Sequence, residues 1–388
     1  MELTEDRLEE ITEFTRELVK ISGYSGEEAS AAACVLGRMK DLGYDDVRTD
    51  AYGNVLGVLT GEKPGPILMF DGHLDVVAVQ EADAWEHSPH GADLVDGEIW
   101  GRGSVDMRGA LSAMIHAPVY VGRSGIAGRI LVSASVAEEF LPARAFREVL
   151  TSQTPDAVVI GEPTGLRLGV AEKGRAGLVL TSIGTLAHSS RPELGDNAVY
   201  RMIEAISRIR GMATRADELL GEEVVELVEI VSHPLPGNGS VPDECRTFWE
   251  CRLLQDETQE GLPSRFREAL RGIDRLQIDY ATLTAKCYTG ATLEVVDCHR
   301  GWVMDDGHPF RQRVQAAMRE VGIEVVPYVL PYGCNAFASA SVMNIPTVVI
   351  GPGDIALAHV ANERLSVREL ADATRLYARI VETNADGG

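Results

Sequence analysis

Four short apolar runs in this chain each lead, within a few residues, to an acid or an imidazole. PILMF (66–70) runs into D-G-H-L-D, which holds His73 and Asp75. LVSASV (131–136) runs into Glu138 and Glu139, AVVI (157–160) into Glu162, and TVVIGPGD (347–354) is followed shortly by His359. Apolar runs of this length between turn signals read as buried strands. In open α/β sheets, ligands bind in the crevice outside the carboxyl ends of the strands. Parallel strands would therefore gather at one sheet edge groups that lie as far apart as positions 73 and 359.

The rest of the chain fits an α/β reading. Leu8, Ile11, Phe14 and Leu18 give residues 7–20 one apolar helical face. A second helix is expected to open at Ser25, with Glu28 completing a capping box, and to stop near Gly43. Asp96-Gly97 predicts a tight hairpin turn, and residues 107–117 a helix after it. From about 177 the order becomes strand (GLVLTSIGT), helix (193–210), strand (TFWECRLL), helix (258–271) and strand (LQIDYATLTA). That block suits a small α+β module inserted into a larger domain. A last helix opens at Ser366, with Glu369 as its capping partner. The expected layout is a discontinuous domain, 1–176 plus 288–388, with a mixed central sheet flanked by helices, interrupted by an inserted module at 177–287. With 388 residues the chain exceeds what one core usually organises.

Bulk charge excludes some partners. The 36 basic against 59 acidic residues give a formal charge of −23, a surface that repels nucleic acid and anionic membranes. No stretch approaches the roughly 18 apolar residues needed to cross a bilayer. The acidic N-terminus, MELTEDRLEEITEF, is unlike a secretory signal, so a cytoplasmic location is expected. Six scattered cysteines without a C-x-x-C pair argue for reduced thiols over disulfides or a thiolate zinc site.

So many acids at one edge would repel one another and raise each other's pKa values unless cations joined them. Imidazole nitrogen with carboxylate oxygen suits zinc, with cobalt or manganese as alternatives, better than magnesium or calcium. Two histidines and several acids exceed the needs of one ion and suit two. Asp106, in W-G-R-G-S-V-D-M-R-G, is the candidate carboxylate to bridge them. Of the adjacent pair, Glu139 is assigned to metal and Glu138 to proton transfer as general base. Asp75, two residues from His73, is expected to orient that imidazole. His87, His90, His116, His233, His299 and His308 lack such a setting and read as structural or surface residues.

These motifs, G-H-L-D (72–75), G-R-G-S-V-D-M-R-G (101–109), A-E-E (137–139), G-E-P-T (161–164) and A-H-V-A-N-E (358–363), occur in an order that resembles the M20 metallopeptidases and deacylases. The resemblance covers nearly the whole chain. It implies a zinc-peptidase-like catalytic domain and an inserted lid through which the protein forms a homodimer. It implies that His73, Asp106 and Glu162 hold one metal, that Asp106, Glu139 and His359 hold the other, and that Glu138 is the base. It further implies that His188, in A-H-S-S-R-P, steadies an oxyanion and that Arg252 holds a substrate carboxylate.

Three positions depart from the family pattern. Its D-x-R appears as Glu250-Cys251-Arg252, its N-x-I-P as Gly239-Ser240-Val241-Pro242, and its late T/S-D pair as Cys334-Asn335. Asn335 is kept as a substrate-contact candidate. These changes touch substrate contacts and leave the metal set intact.

The expected activity is metal-assisted removal of an acetyl or succinyl group from an N-acyl amino acid. G-E-P-T inclines the resemblance toward the deacylase and glutamate carboxypeptidase branches. A carboxypeptidase or dipeptidase is the alternative. A non-catalytic descendant that only binds a small acid or peptide would be expected to have lost Glu138 or a ligand, and none is missing from the sequence.

Overall fold

The computed structural model describes residues 3–384, and the chain divides into two compact units. Of the described residues, the first takes those within 1–171, 284–294 and 303–388, and the second those of 172–283 and 295–302. These boundaries differ from the expected 176/177 and 287/288. The strand Gly174–Ile183 is continuous and carries the second unit's sheet, so the division falls before it. The segment 284–294 returns to the first unit: Tyr288 Oη donates to Gly53 O (3.0 Å) and Thr289 Oγ1 to Ala51 O (2.8 Å). Cys298 and His299 then pair with Ala176 and Arg175 in the second.

In the first unit a mixed sheet runs in the order Asp46–Thr49, Val55–Thr60, Ala127–Ser135, Lys63–His73, Ala157–Ile160, Thr347–Val349, Leu168–Glu172. Its four central strands are parallel, with His73 level with Ser135, Asp71 with Ile160, and Val349 with Ile160. Central parallel strands are buried on both faces; here Leu68, Phe70, Val132, Val159 and Val348 are fully enclosed. The helices Gly109–Val121 and Val367–Thr383 bury most of their apolar residues, among them Met114, Leu376 and Tyr377. The hairpin is present, with Asp96 and Gly97 both at positive φ between Asp93–Val95 and Glu98–Trp100.

Two expected capping boxes do not form. The second helix spans Ala29–Asp41 and starts after Glu28, whose side chain makes no cap bond. Glu28 and Ser25 are drawn elsewhere, as described below. At the last helix Ser366 makes no side-chain cap, and Glu369 instead accepts from Gly353 N (2.8 Å).

The second unit is an antiparallel sheet in the order Val224–His233, Glu244–Leu253, Gly174–Ile183, Leu276–Tyr280. Helices Ala198–Arg210 and Gly261–Ala269 contribute to a core that includes Leu178, Leu180, Met202, Trp249 and Phe266. LQIDYATLTA is two strands, broken at Ala281, and Val224–His233 is an edge strand beyond those expected from the sequence. Its residues are nearly all exposed or half-buried, so it lacks the alternation that marks a strand with one face in a core. Among the described residues, no helix is long and apolar enough to cross a membrane, and none of the six cysteines is in a disulfide.

Candidate metal centre

The parallel register places the ends of Lys63–His73, Ala127–Ser135, Ala157–Ile160 and Thr347–Val349 at one edge. Beyond it the backbone turns sharply. Ala137 (φ 57°) and His359 (φ 63°) adopt the left-handed conformation, unusual for residues with a Cβ. The loops after two of the strands meet at Gly351, where a Cβ would lie 2.1 Å from Gly161 O. Only glycine permits that approach, and the approach brings Glu162 in beside the other loops.

Six expected residues converge there. His73 Nε2 lies 3.0 Å from Asp106 Oδ1 and 3.8 Å from Glu162 Oε1. His359 Nε2 lies 3.1 Å from Asp106 Oδ2 and 3.1 Å from Glu139 Oε2. Asp106 thus faces one imidazole with each of its oxygens. Ligand atoms of His73, Glu138 and Glu162 all fall within 4.8 Å of one another, as do those of His73, Asp106 and Glu139. His73, Asp106, Glu138 and Glu162 are buried, whereas the His359 side chain is 52% exposed.

Two features of this cluster fit divalent cations. Glu138 Oε1 and Glu139 Oε1 are buried with no hydrogen-bond partner, a costly condition that a bound cation would relieve. The electrostatics agree. Burial, followed by the neighbouring Asp106 charge, pushes the carboxyls of Glu139 and Glu162 upward, Glu162 strongly. Burial also raises Glu138 well above its usual range, and Glu139 and Asp75 add to the rise. Hydrogen bonds that His359 donates to Asp106 and then to Glu139 push it up to about 10. Burial works against Asp106 too, but its bonds to His359 and His73 overcome it and hold it low.

Asp75 acts differently from the expectation. The imidazole of His73 is oriented by the backbone carbonyl of Asp75, 2.9 Å from Nδ1, while the Asp75 carboxylate stands 3.7 Å away. A carbonyl only accepts, so Nδ1 donates to it, and loss of the Nε2 proton would leave that nitrogen's lone pair available to a cation. The Asp75 carboxylate instead accepts from Glu138 N and Glu139 N, both at 3.1 Å, and from Ser25 Oγ at 2.6 Å.

Asn335 also requires correction as a substrate contact. Its Oδ1 accepts from Ala143 N (2.8 Å), and its Nδ2 donates to Asp71 Oδ2 (2.8 Å) and Ser135 Oγ (2.9 Å). The side chain is buried and its polar atoms are used in holding the wall behind the sheet edge.

Glu363 is a further residue of the site, not among those expected from the sequence. It is fully buried, and its Oε1 accepts from Val105 N (2.9 Å) and Asp106 N (3.1 Å) while Oε2 accepts from Arg102 (2.6 Å). It therefore fixes the backbone that presents Asp106. Its place at the end of A-H-V-A-N-E was the signal available.

His188 and Arg252 lie in the second unit. His188 is exposed, and its Nδ1 accepts from Ser190 N (3.1 Å), which leaves Nε2 to carry the proton of the neutral ring. Arg252 lies 3.4 Å from Glu250 Oε1, which Arg175 also holds at 3.1 Å.

The profile of peptidase family M20/M25/M40 matches residues 69–383, well over half of the chain. The chain belongs to that family. This M20 protein is therefore a hydrolase of the amidohydrolase and peptidase group. It is 26% identical to the uncharacterized protein YgeY of Escherichia coli, over 98% of this chain and 96% of that one. It is 25% identical to the succinyl-diaminopimelate desuccinylase of Rhodospirillum centenum, over 95% of each. Its fold is similar to that of the Bacillus subtilis YXEP protein, a dinuclear metal-binding peptidase from the M20 family. The TM-score is 0.73 at 14% identity, covering 98% of this chain and 99% of that one.

Proposed function

We propose that this M20 protein is a two-metal amidohydrolase that removes an acetyl or succinyl group from an N-acyl amino acid. One observation carries the reading: a buried carboxylate, Asp106, that faces His73 with one oxygen and His359 with the other. His73, Asp106 and Glu162 would hold one cation, and Asp106, Glu139 and His359 the other. Zinc is the favoured metal, with cobalt or manganese possible, because imidazole and carboxylate donors suit them. When bound, such ions acidify a water and polarise an amide carbonyl.

The chain's own groups do the rest. Glu138, buried and raised by its surroundings, takes the proton of the attacking water and delivers it to the departing amine nitrogen. His188, with its Nε2 proton free to donate, would stabilise the developing oxyanion. Replacing it by alanine is expected to lower kcat by about 10²–10³-fold with metal content unchanged. Steady-state kinetics beside metal analysis checks this; an unaltered kcat removes His188 from the mechanism. Arg252 would hold the substrate's free carboxylate. A cavity of about 470 Å³ beside Glu139, lined by Tyr24, Val76, Phe140 and Lys286 among others, has room for a small acyl or amino-acid group.

The alternative within the family is a carboxypeptidase or dipeptidase. Assays of N-acetylornithine, N-succinyl-diaminopimelate and simple dipeptides, side by side, separate the two. Cleavage of the dipeptides alone overturns the deacylase reading. The second unit is proposed to form a homodimer through its outer strand, where Val224, Val228, Ile230 and Val231 are exposed. Sedimentation velocity tests this, and a monomer at micromolar concentration contradicts it.

A further inference from the structure

The sheet's hydrogen-bond ladder stops at Ser135, yet the next four backbone N–H groups are all satisfied by side-chain oxygens. Val136 N donates to Asn54 Oδ1 (3.0 Å) and Ala137 N to Glu28 Oε1 (3.0 Å). Glu138 N and Glu139 N donate to the two oxygens of Asp75 (3.1 Å each). Of the three residues that supply these oxygens, only Asp75 belongs to a recognised motif. Asn54 and Glu28 come from the N-terminal region that precedes every motif in the sequence.

We propose that the loop 23–28 is a clamp that sets the Glu138–Glu139 pair, with Glu28 its decisive positioning residue. The loop grips the turn from both sides. Glu28 holds Ala137, Ser25 Oγ donates to Asp75 Oδ2 (2.6 Å), and Gly23 O accepts from Val76 N (3.0 Å). Glu28 is fully buried, its second oxygen has no hydrogen-bond partner, and no ion pair joins it among the described residues. A buried carboxylate without a counter-charge is unfavourable, and a simple packing role would be served better by leucine or methionine.

Glu28 gives the fold a constraint at the position that most needs one. Ala137 is left-handed at φ 57°, and its N–H faces the protein interior where an unpaired donor is costly. This turn sends Glu138 toward His73 and Glu162, and Glu139 toward His359. If Ala137 relaxed toward an ordinary conformation, both carboxylates would shift together. The proton-transfer group and a metal ligand therefore share one mechanical support. The residues that the sequence offers as a helix cap serve this turn instead.

The assignment of catalytic consequence rests on the two-metal reading, whereas the clamp itself can be tested apart from it. Glu28→Met keeps the volume and removes the acceptor; Glu28→Gln keeps an oxygen for Ala137 N. Backbone amide exchange of residues 136–139 reads the clamp directly. It is expected to quicken in Glu28→Met and to stay near wild type in Glu28→Gln, whether or not metal binds. In metal-loaded protein, Glu28→Met should lose about 10–100-fold in kcat or in affinity for one of the two ions, with KM little changed, and Glu28→Gln should restore both.

Unchanged exchange and metal affinity in Glu28→Met, with only a lowered Tm, would mean packing alone and overturn the proposal. So would Glu28→Gln failing as badly as Glu28→Met. Should Glu28→Met not fold, Ser25→Ala decides: the clamp requires faster exchange at 138 and 139, and unaltered exchange rejects it. Wild type that takes up no metal refutes the two-metal reading, while the exchange result still judges the clamp.

Discussion

Replacing Glu138 by glutamine is expected to lower kcat by about 10²–10⁴-fold, the range that a positioned general acid–base group contributes. The bound metal should remain. Glu138 has a buried oxygen without a partner, and it is not one of the carboxylates paired with His359. A buried carboxylate oxygen that no other group engages suits a side chain that must accept a proton from water and release it to an amine. Glutamine keeps the shape and removes the basicity. Turnover measured beside metal content decides the matter. An activity within tenfold of wild type would show that proton transfer is done elsewhere.

Asp106→Asn is expected to have the other large effect, and by a different route. Each Asp106 oxygen faces a different imidazole, so this side chain is the only one assigned to both cations. An amide cannot offer two anionic oxygens, and both positions should empty on dialysis against a weak chelator. The rate should fall on the order of 10³-fold or more, because the pKa of water returns from about 7 toward about 15.7. Glu162→Gln or Glu139→Gln should each weaken one position. Retention of both ions by Asp106→Asn would contradict the bridge.

The contrast between what the sequence revealed and what it hid has a physical cause. Strand ends were legible because buried parallel strands are written as uninterrupted apolar runs, and an acid directly after such a run is conspicuous. His73, Glu138, Glu139 and Glu162 are brought together as that reading required, and His359 joins them by a left-handed turn. The supporting side chains were harder to read. Ser25 and Glu28 have the spacing of a capping box, and local spacing cannot reveal that Asp75 and Ala137, far along the chain, compete for them. The same holds for Glu369, taken by Gly353 N. Asn335 illustrates the opposite error. A polar residue next to a motif position suggested a substrate contact, and the fold uses it as an internal brace. Long-range hydrogen bonds leave no periodic trace in a sequence, so residues that steady a site are the ones most easily misread.

The claim on which everything depends is that acids and imidazoles from four strand ends share a pair of cations. The most direct test is a crystal structure of protein purified without chelators, with anomalous scattering collected on either side of the zinc edge. The account predicts two metal peaks, one ligated by His73 and Glu162, the other by Glu139 and His359, with Asp106 touching both. A single peak, ions bound elsewhere, or a site that stays without metal after soaking in zinc, cobalt and manganese would contradict it.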